Sequence, residues 1–322
     1  MSRVSDERRA LDQGSAIGSV SVVIPCFNDG AFLNEALEGL GAGRARGEGV
    51  VIVNDGSTDP GTLDVLAGLR MRGYQVVDQA NAGLSAARNA GYRTASGPYI
   101  LFLDADNKVD PMLMDRAAAI LDADPSVSVV YSDKYEFGGR SGVVEQPDVT
   151  LAELLMGNRI DACAVVRRSA LEAIGGFDEA MRDGYEDWDL WIRLMAQGHR
   201  FHRIPKPLFS YRVREGSLLA RTAVPDTRWA VVAHVAGKHK DLFRDHACEV
   251  IAGLHRIQAH DRLLVREAER VAQAAKETAA VALRAAREAG DALKDLNVQR
   301  DALRAGIQAM RTRAEAGEEA HA

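Results

Sequence analysis

A chain of 322 residues has room for one large domain or two ordinary ones. Hydrophobic residues make up 47% and charged residues 27%, a balance that excludes a disordered or fibrous chain. The formal net charge of -6 gives no basis for sequence-independent nucleic-acid binding, although a few local groups could still hold a phosphate.

Residues 1–18 read as a flexible polar leader, without the apolar stretch of a signal peptide. No apolar run approaches the ~20 residues of a membrane span, so any membrane contact is expected to be peripheral. Cys26, Cys163 and Cys248 stand far apart and form no CxxC pair, which suits a reducing, cytoplasmic setting.

From Ser19 the pattern alternates. Val20–Pro25 is a β-branched run, and Ala31–Leu40 has helical spacing. Val50–Val53 is a second strand, Leu63–Arg72 a helix and Tyr74–Asp78 a third strand. Leu84–Ala95 is helical, and Tyr99–Leu103 is a fourth strand. Such alternation predicts an α/β fold with a mostly parallel sheet covered on both faces. Ligands of these sheets lie at the carboxyl ends of the strands. Further on, Met112–Leu121, Leu151–Met156, Ser169–Ile174 and Asp187–Ala196 read as helices, with strands at Val127–Tyr131 and Phe201–Tyr211. Trp229–His260 reads as a helix with a break near Gly237.

The last segment carries a different period. Val265, Ala272, Ala279, Ala286, Leu293, Arg300 and Ile307 lie seven apart. Ala268, Ala275, Ala282, Ala289, Leu296, Leu303 and Met310 repeat it three residues further on. Apart from Arg300 these positions are apolar, which predicts a coiled coil. A solvated alanine-rich helix is the alternative, because alanine suits any helix pattern.

Five segments carry candidate chemistry. The first strand leads into Pro25-Cys26-Phe27-Asn28, where a nucleobase could lie or where Asn28 simply makes a turn. Asp55 leaves the second strand, where its carboxylate can accept from a base N–H or a ribose hydroxyl. Asp59 is read as the cap of the next helix, with Pro60 at its first position. Arg88 stands among alanines and needs an anionic partner: a diphosphate, or a nearby acid. Asp104-Ala105-Asp106 follows the fourth strand, and two carboxylates facing one way repel unless a cation lies between them. Mg²⁺ and Mn²⁺ prefer such oxygen ligands. Glu186-Asp187-Trp188 opens a helix. The macrodipole can account for one or two acids there. A carboxylate held against an aromatic wall would also serve as a general base.

Together these segments resemble glycosyltransferase family 2, inverting enzymes of the GT-A fold, over about residues 19–217. Asp104-Ala105-Asp106 looks like the family's D-x-D, and Glu186-Asp187-Trp188 like its E-D-[WY]. The resemblance implies a Rossmann-like GT-A nucleotide-sugar-binding domain, followed by a helical C-terminal extension with the coiled coil. It also implies transfer of a sugar from a nucleotide-sugar, a UDP-sugar first, to a hydroxyl on a glycan, lipid-linked or protein acceptor, as in polysaccharide biosynthesis.

By the same resemblance Pro25, Phe27 and Asn28 line the nucleoside pocket, with Asp55 on the base and Arg88 and Trp188 on the nucleotide-sugar. Asp104 meets the ribose or a divalent metal, Mn²⁺ or Mg²⁺, and Asp106 meets the metal. Asp187 is the base, with Glu186 the second catalytic acid. Many relatives carry a histidine shortly after a Tyr-Arg, where this chain has Arg214. A guanidinium can hold the diphosphate but cannot ligate a metal, which leaves metal binding to Asp106, phosphates and water.

The domain expectation is a GT-A domain at 19–221, a helical extension at 222–262 and a coiled-coil helix with a polar tail at 263–322, pairing into a homodimer. Two rival readings are a non-catalytic coiled-coil scaffold and a nucleotidyltransferase. The second lacks its glycine-rich, basic phosphate loop in Pro25–Gly30.

Overall fold

In a computed structural model the described residues are 19–41, 47–214 and 225–319. The expected leader at 1–18 lies outside them. The strands β1 (Val20–Cys26), β2 (Val50–Asp55), β3 (Gln75–Gln79) and β4 (Tyr99–Phe102) alternate with helices α1 (Gly30–Gly39), α2 (Pro60–Met71) and α3 (Leu84–Thr94). After β4 come β5 (Lys108–Val109), α4 (Pro111–Ala123), β6 (Val127–Gly138), β7 (Gly142–Val144), α5 (Leu151–Leu155), β8 (Val165–Arg167), α6 (Arg168–Ile174), α7 (Glu186–Ala196) and β9 (Arg200–Val213).

The nine strands form one sheet in the order β3-β2-β1-β4-β8-β6-β9-β5, with β7 paired to β6. The first four strands are parallel, as the alternation predicts. The remainder is mixed: β8 runs antiparallel to β4 and β6, while β6 and β9 are parallel. Strand β1 is buried along its whole length because its residues alternate between two cores. Val22 and Ile24 belong to one with Leu33, Leu66 and Leu113. Val23 belongs to the other with Ala87, Leu190 and Trp191. Burying a side chain of this size stabilises by about 1.5–3 kcal/mol.

Helix α3 lies very close to the sheet. A Cβ at Gly91 would meet Val23 Cγ1 at 2.2 Å, so only glycine permits this approach. The effect is to carry Arg88, one turn earlier, down onto the carboxyl ends of the strands. Asp59 caps α2 by accepting from the Thr62 N–H, with Pro60 in the first turn, as the sequence predicts.

The expected helix at Trp229–His260 is three helices: α8 (Pro225–Lys238), α9 (Lys240–Asp245) and α10 (Ala247–Glu319). The breaks fall at His239 and His246 rather than at Gly237. His239 is buried, and its ring bonds to Asp189, a contact that sequence periodicity cannot show. The chain divides into two compact units, Met1–Gly253 and Leu254–Ala322. Among the described residues no helix is long and apolar enough to cross a membrane.

Candidate active site

Strands β1, β2 and β4 are parallel neighbours, so their carboxyl ends come together. A cleft of about 800 Å³ opens there. It is lined by Pro25, Phe27 and Asn28 after β1, Asp55 at the end of β2, and Asp104 and Asp106 after β4. Arg88, Glu186, Asp187 and Arg214 line it from other elements. Of the residues expected here, Trp188 alone does not line it.

Both non-glycine residues with left-handed backbones among those described, Asn28 (φ 57°) and Tyr185 (φ 61°), line this cleft. Such conformations are costly and persist where the surroundings impose them. At Asn28 the cause is visible. Its side-chain oxygen accepts from the N–H groups of Thr58 and Asp59, at 2.8 and 2.9 Å. Its own N–H donates to Ser57 Oγ at 3.1 Å. Asn28 thus clasps the turn after β2 to the end of β1 while lining the cleft, where a nucleoside is expected.

Asp55 is similarly occupied. Its carboxylate accepts from Gln79 Nε2 (2.7 Å) and from the N–H groups of Ala82 and Gly83 (2.9 Å each). It holds the loop that starts α3, while still lining the cleft. Phe27 is 47% exposed and free to stack on a planar ligand.

Arg88 is buried, with only 1% exposure. It donates to Asp104 at 2.7 Å and to Glu186, and stacks over Phe177 at 5.3 Å. Burial works against its charge, and Asp104 and Glu186 more than offset that effect. Of the two partners the sequence leaves open, diphosphate or acid, the structure supplies the acid. Glu186, expected as the second catalytic acid, is buried and serves as a counter-ion of this guanidinium.

Arg214 is paired in the same way. Its Nε donates to Asp106 at 2.6 Å, and a terminal nitrogen reaches both oxygens of Asp29 at 2.9 Å. Burial, then the charge of Asp104, pushes the Asp106 carboxyl up, and Arg214 opposes them.

Asp187 differs from its neighbours. It is half-buried in the first turn of α7, and it accepts from Asn158 Nδ2 at 3.0 Å. Burial, then the charges of Glu186 and Asp161, pushes its carboxyl up to about 8. A carboxylate of that basicity removes a proton from a hydroxyl more readily than an ordinary one. Trp188 is buried below it and donates its indole N–H to the Leu154 carbonyl. The expected contact of Trp188 with a nucleotide-sugar is thus replaced by an anchor for the loop after α5.

Other lining residues had no sequence signal. Lys134 comes from β6 and Tyr211 from β9, and Lys134 Nζ lies 4.6 Å from the Tyr211 ring centre. Asn158, Arg159 and Asp161 come from the irregular loop before β8, and Arg182 from the loop before α7. Irregular segments have no periodicity to read, and only the fold brings them here.

Seven acids and five basic side chains line the cleft, so a diphosphate entering it needs further positive charge. Asp104 and Asp106 offer the oxygen donors that Mg²⁺ or Mn²⁺ prefers. Among the described residues no group of three or more His, Cys, Asp or Glu side chains forms a metal cage. The two aspartates therefore fit a cation whose remaining ligands are phosphate oxygens and water.

Comparison with known proteins identifies the family and the fold. The model of "Glycosyl transferase family 2" matches residues 21–175, and that of "Glycosyltransferase like family 2" matches 141–229. An uncharacterized protein of Sinorhizobium fredii, y4gI, is 32% identical over 228 residues, 68% of this chain and 24% of that protein. The O-antigen biosynthesis protein RfbC of Myxococcus xanthus is 27% identical over 276 residues, 84% of this chain and 21% of that protein. The chain thus spans about a quarter of the length of these curated relatives. Crystal structures of S. aureus TarS 1-349 superpose with TM-scores of 0.53 with UDP-GlcNAc bound and 0.51 with UDP, both at 23% identity. They cover 67% and 61% of this chain, and 66% and 60% of theirs. The shared architecture is the GT-A fold.

Proposed function

The chain belongs to glycosyltransferase family 2, and we propose that it transfers a sugar from a UDP-sugar to a hydroxyl acceptor, with inversion, in polysaccharide biosynthesis. The observation that carries this reading is Asp187, a half-buried carboxyl raised to about 8, in the same cleft as Asp104 and Asp106. TarS, of the same fold, binds UDP and UDP-GlcNAc, and RfbC takes part in O-antigen biosynthesis.

In this reading Phe27 and Pro25 take the base, and Asp104 the ribose. Asp187 accepts the proton of the acceptor hydroxyl. The freed oxygen attacks the anomeric carbon from the face opposite the diphosphate. The bond from that carbon to the phosphate oxygen breaks, and its electron pair leaves with the nucleoside diphosphate. Asp104 and Asp106 would hold Mn²⁺ or Mg²⁺, which when bound neutralises charge on the leaving diphosphate. Arg159 and Arg182, which line the cleft without an ion pair among the described residues, are placed to add to that neutralisation.

A thermal-shift screen of nucleoside diphosphates and their sugars, with Mn²⁺ or EDTA, tests the reading, because binding raises apparent stability. UDP is expected to raise Tm with Mn²⁺ and much less with EDTA, and Asp106→Ala is expected to abolish that difference. Equal shifts with and without the metal would assign the neutralisation to the arginines alone. No shift with any nucleotide would remove the donor site.

A further inference from the structure

We propose that Asn158 is a positioning residue for Asp187, aiming its carboxylate and favouring the ionised form that accepts the proton. The inference rests on the reading of Asp187 as the base. Asn158 lines the cleft, and its amide nitrogen donates to Asp187 Oδ1 at 3.0 Å. Its side-chain oxygen is buried and has no hydrogen-bond partner among the described residues. An unsatisfied buried acceptor costs about 1–3 kcal/mol. An amide placed for structural reasons would use both ends. Here the end that bonds is the end that faces the candidate base, and reversing the amide would set its oxygen against a carboxylate.

The loop is built to keep it there. Asn158 lies between α5 and β8, and both flanks are pinned from α7, the helix that carries Asp187. Trp188 donates its indole N–H to the Leu154 carbonyl, and Trp191 donates to the Ile160 carbonyl at 3.3 Å. These tryptophans are three residues apart, so they share one face of α7. The α5 end is fixed by a Thr150–Glu153 capping box. Base and positioning amide, both half-buried at the cleft, are thus held by one framework of buried tryptophans.

Four groups act on the Asp187 carboxylate. Glu186 from α7 and Asp161 from the loop before β8 disfavour its charge, whereas Arg88 from α3 and the Asn158 amide favour it. Removing the amide removes a donor to the charged form, so the carboxyl must titrate at higher pH.

The test has a part that needs no substrate. In the full chain labelled with ¹³C at Asp carboxyls, the Asp187 signal is assigned by its loss in Asp187→Asn and followed with pH. In Asn158→Ala it is expected to titrate about one unit higher. Hydrolysis of UDP-GlcNAc, read as UDP release, should then show the acidic limb of kcat/KM moved up by the same amount. At pH 7 that is about a tenfold loss. Asn158→Asp, which keeps the side chain's shape, is the second variant should the alanine form not fold, and it too should raise the titration.

An unmoved Asp187 titration in either variant overturns the proposal. A moved titration with an unmoved acidic limb overturns it too, because Asp187 would then not be the base. Should the wild type fail to turn over UDP-GlcNAc, that donor is wrong, and the titration alone decides Asn158.

Discussion

At Asp187 the folded chain works against its own charge. An unfolded aspartate ionises near pH 3.9, whereas this one is held up to about 8, chiefly by burial and then by Glu186 and Asp161. Between those values ionisation favours the unfolded chain. The group therefore costs nothing below the unfolded pKa and destabilises progressively as pH rises toward 8. Asp187→Asn should raise Tm at pH 7 by ~2–4 °C, a gain of about 1 kcal/mol, while lowering transfer by about 10²–10⁴-fold. Calorimetry and UDP release on the same sample check both halves, and near-normal turnover would move the role to another acid. Arg88 predicts the opposite. Arg88→Ala strips Asp104 and buried Glu186 of their counter-ion, and losing one partner of such a pair costs about 3 kcal/mol. Urea unfolding should show that loss; normal stability with weakened nucleotide binding would return Arg88 to the ligand group. The two residues also show what was legible. Asp104, Asp106 and Asp187 could be found because each sits at a strand or helix end that local pattern marks. The bond from Arg88 to Glu186 spans 98 residues of sequence, and no local pattern carries it.

Helix α7 shows how one element serves both stability and chemistry. Its first turn holds Glu186, Asp187 and Asp189 without a side-chain cap, and the macrodipole favours all three. Each then points to a different task. Glu186 neutralises Arg88, Asp187 faces Asn158, and Asp189, fully buried, receives Arg193 Nε, Lys238 Nζ and His239 Nε2, each at 2.8 Å. The last network fixes α8 and His239 to α7, and with it the end of α8 to the helix that bears the candidate base. Side-chain bonds from His239 and Lys238 and the charge of Arg193 hold the Asp189 carboxyl well below its ordinary value despite burial. A depressed folded pKa gives stability that is full above the unfolded pKa and lost as pH falls through the folded one. Asp189→Asn should thus lower urea stability by about 3 kcal/mol at pH 7, and the difference should shrink below about pH 4. A constant difference across that range would place the loss in packing. Strands β1, β2 and β4 were legible because each is a mainly apolar, buried run, whereas β3 offered only Tyr74, Val76 and Val77 among polar residues. Strand β6 was legible only to Tyr131, since its remainder, Ser132-Asp133-Lys134-Tyr135-Glu136-Phe137-Gly138, mixes charge into a ladder stabilised by pairing with β9 and β7.

For the whole molecule, what a period of seven cannot say is what it faces. Helix α10 runs without interruption from Ala247 to Glu319, and the chain from Leu254 onward forms a compact unit of its own. Along the expected seam Val265, Leu293, Leu296 and Leu303 are 57–67% exposed, while the side chains of Ile307 and Met310 fall outside the described residues. A continuous apolar stripe on a helix must meet another surface to leave water. A matching helix suits a 3–4 repeat better than an irregular domain face, because each knob then finds a hole of the same spacing. We therefore expect the tail to pair with that of a second copy. Arg300 interrupts the seam and needs an acid across it, which favours an antiparallel or offset pairing. Light scattering at micromolar concentration should give a dimer for the full chain and a folded monomer for a chain ended near His260. Leu293→Asp with Leu296→Asp, two charges in one turn of the seam, should give a monomer with helical content reduced and the α/β domain's Tm unchanged. A monomeric full chain would end the dimer hypothesis. An insoluble shortened chain would show instead that the tail covers its own domain, and the stripe would then be a folding surface rather than an assembly surface.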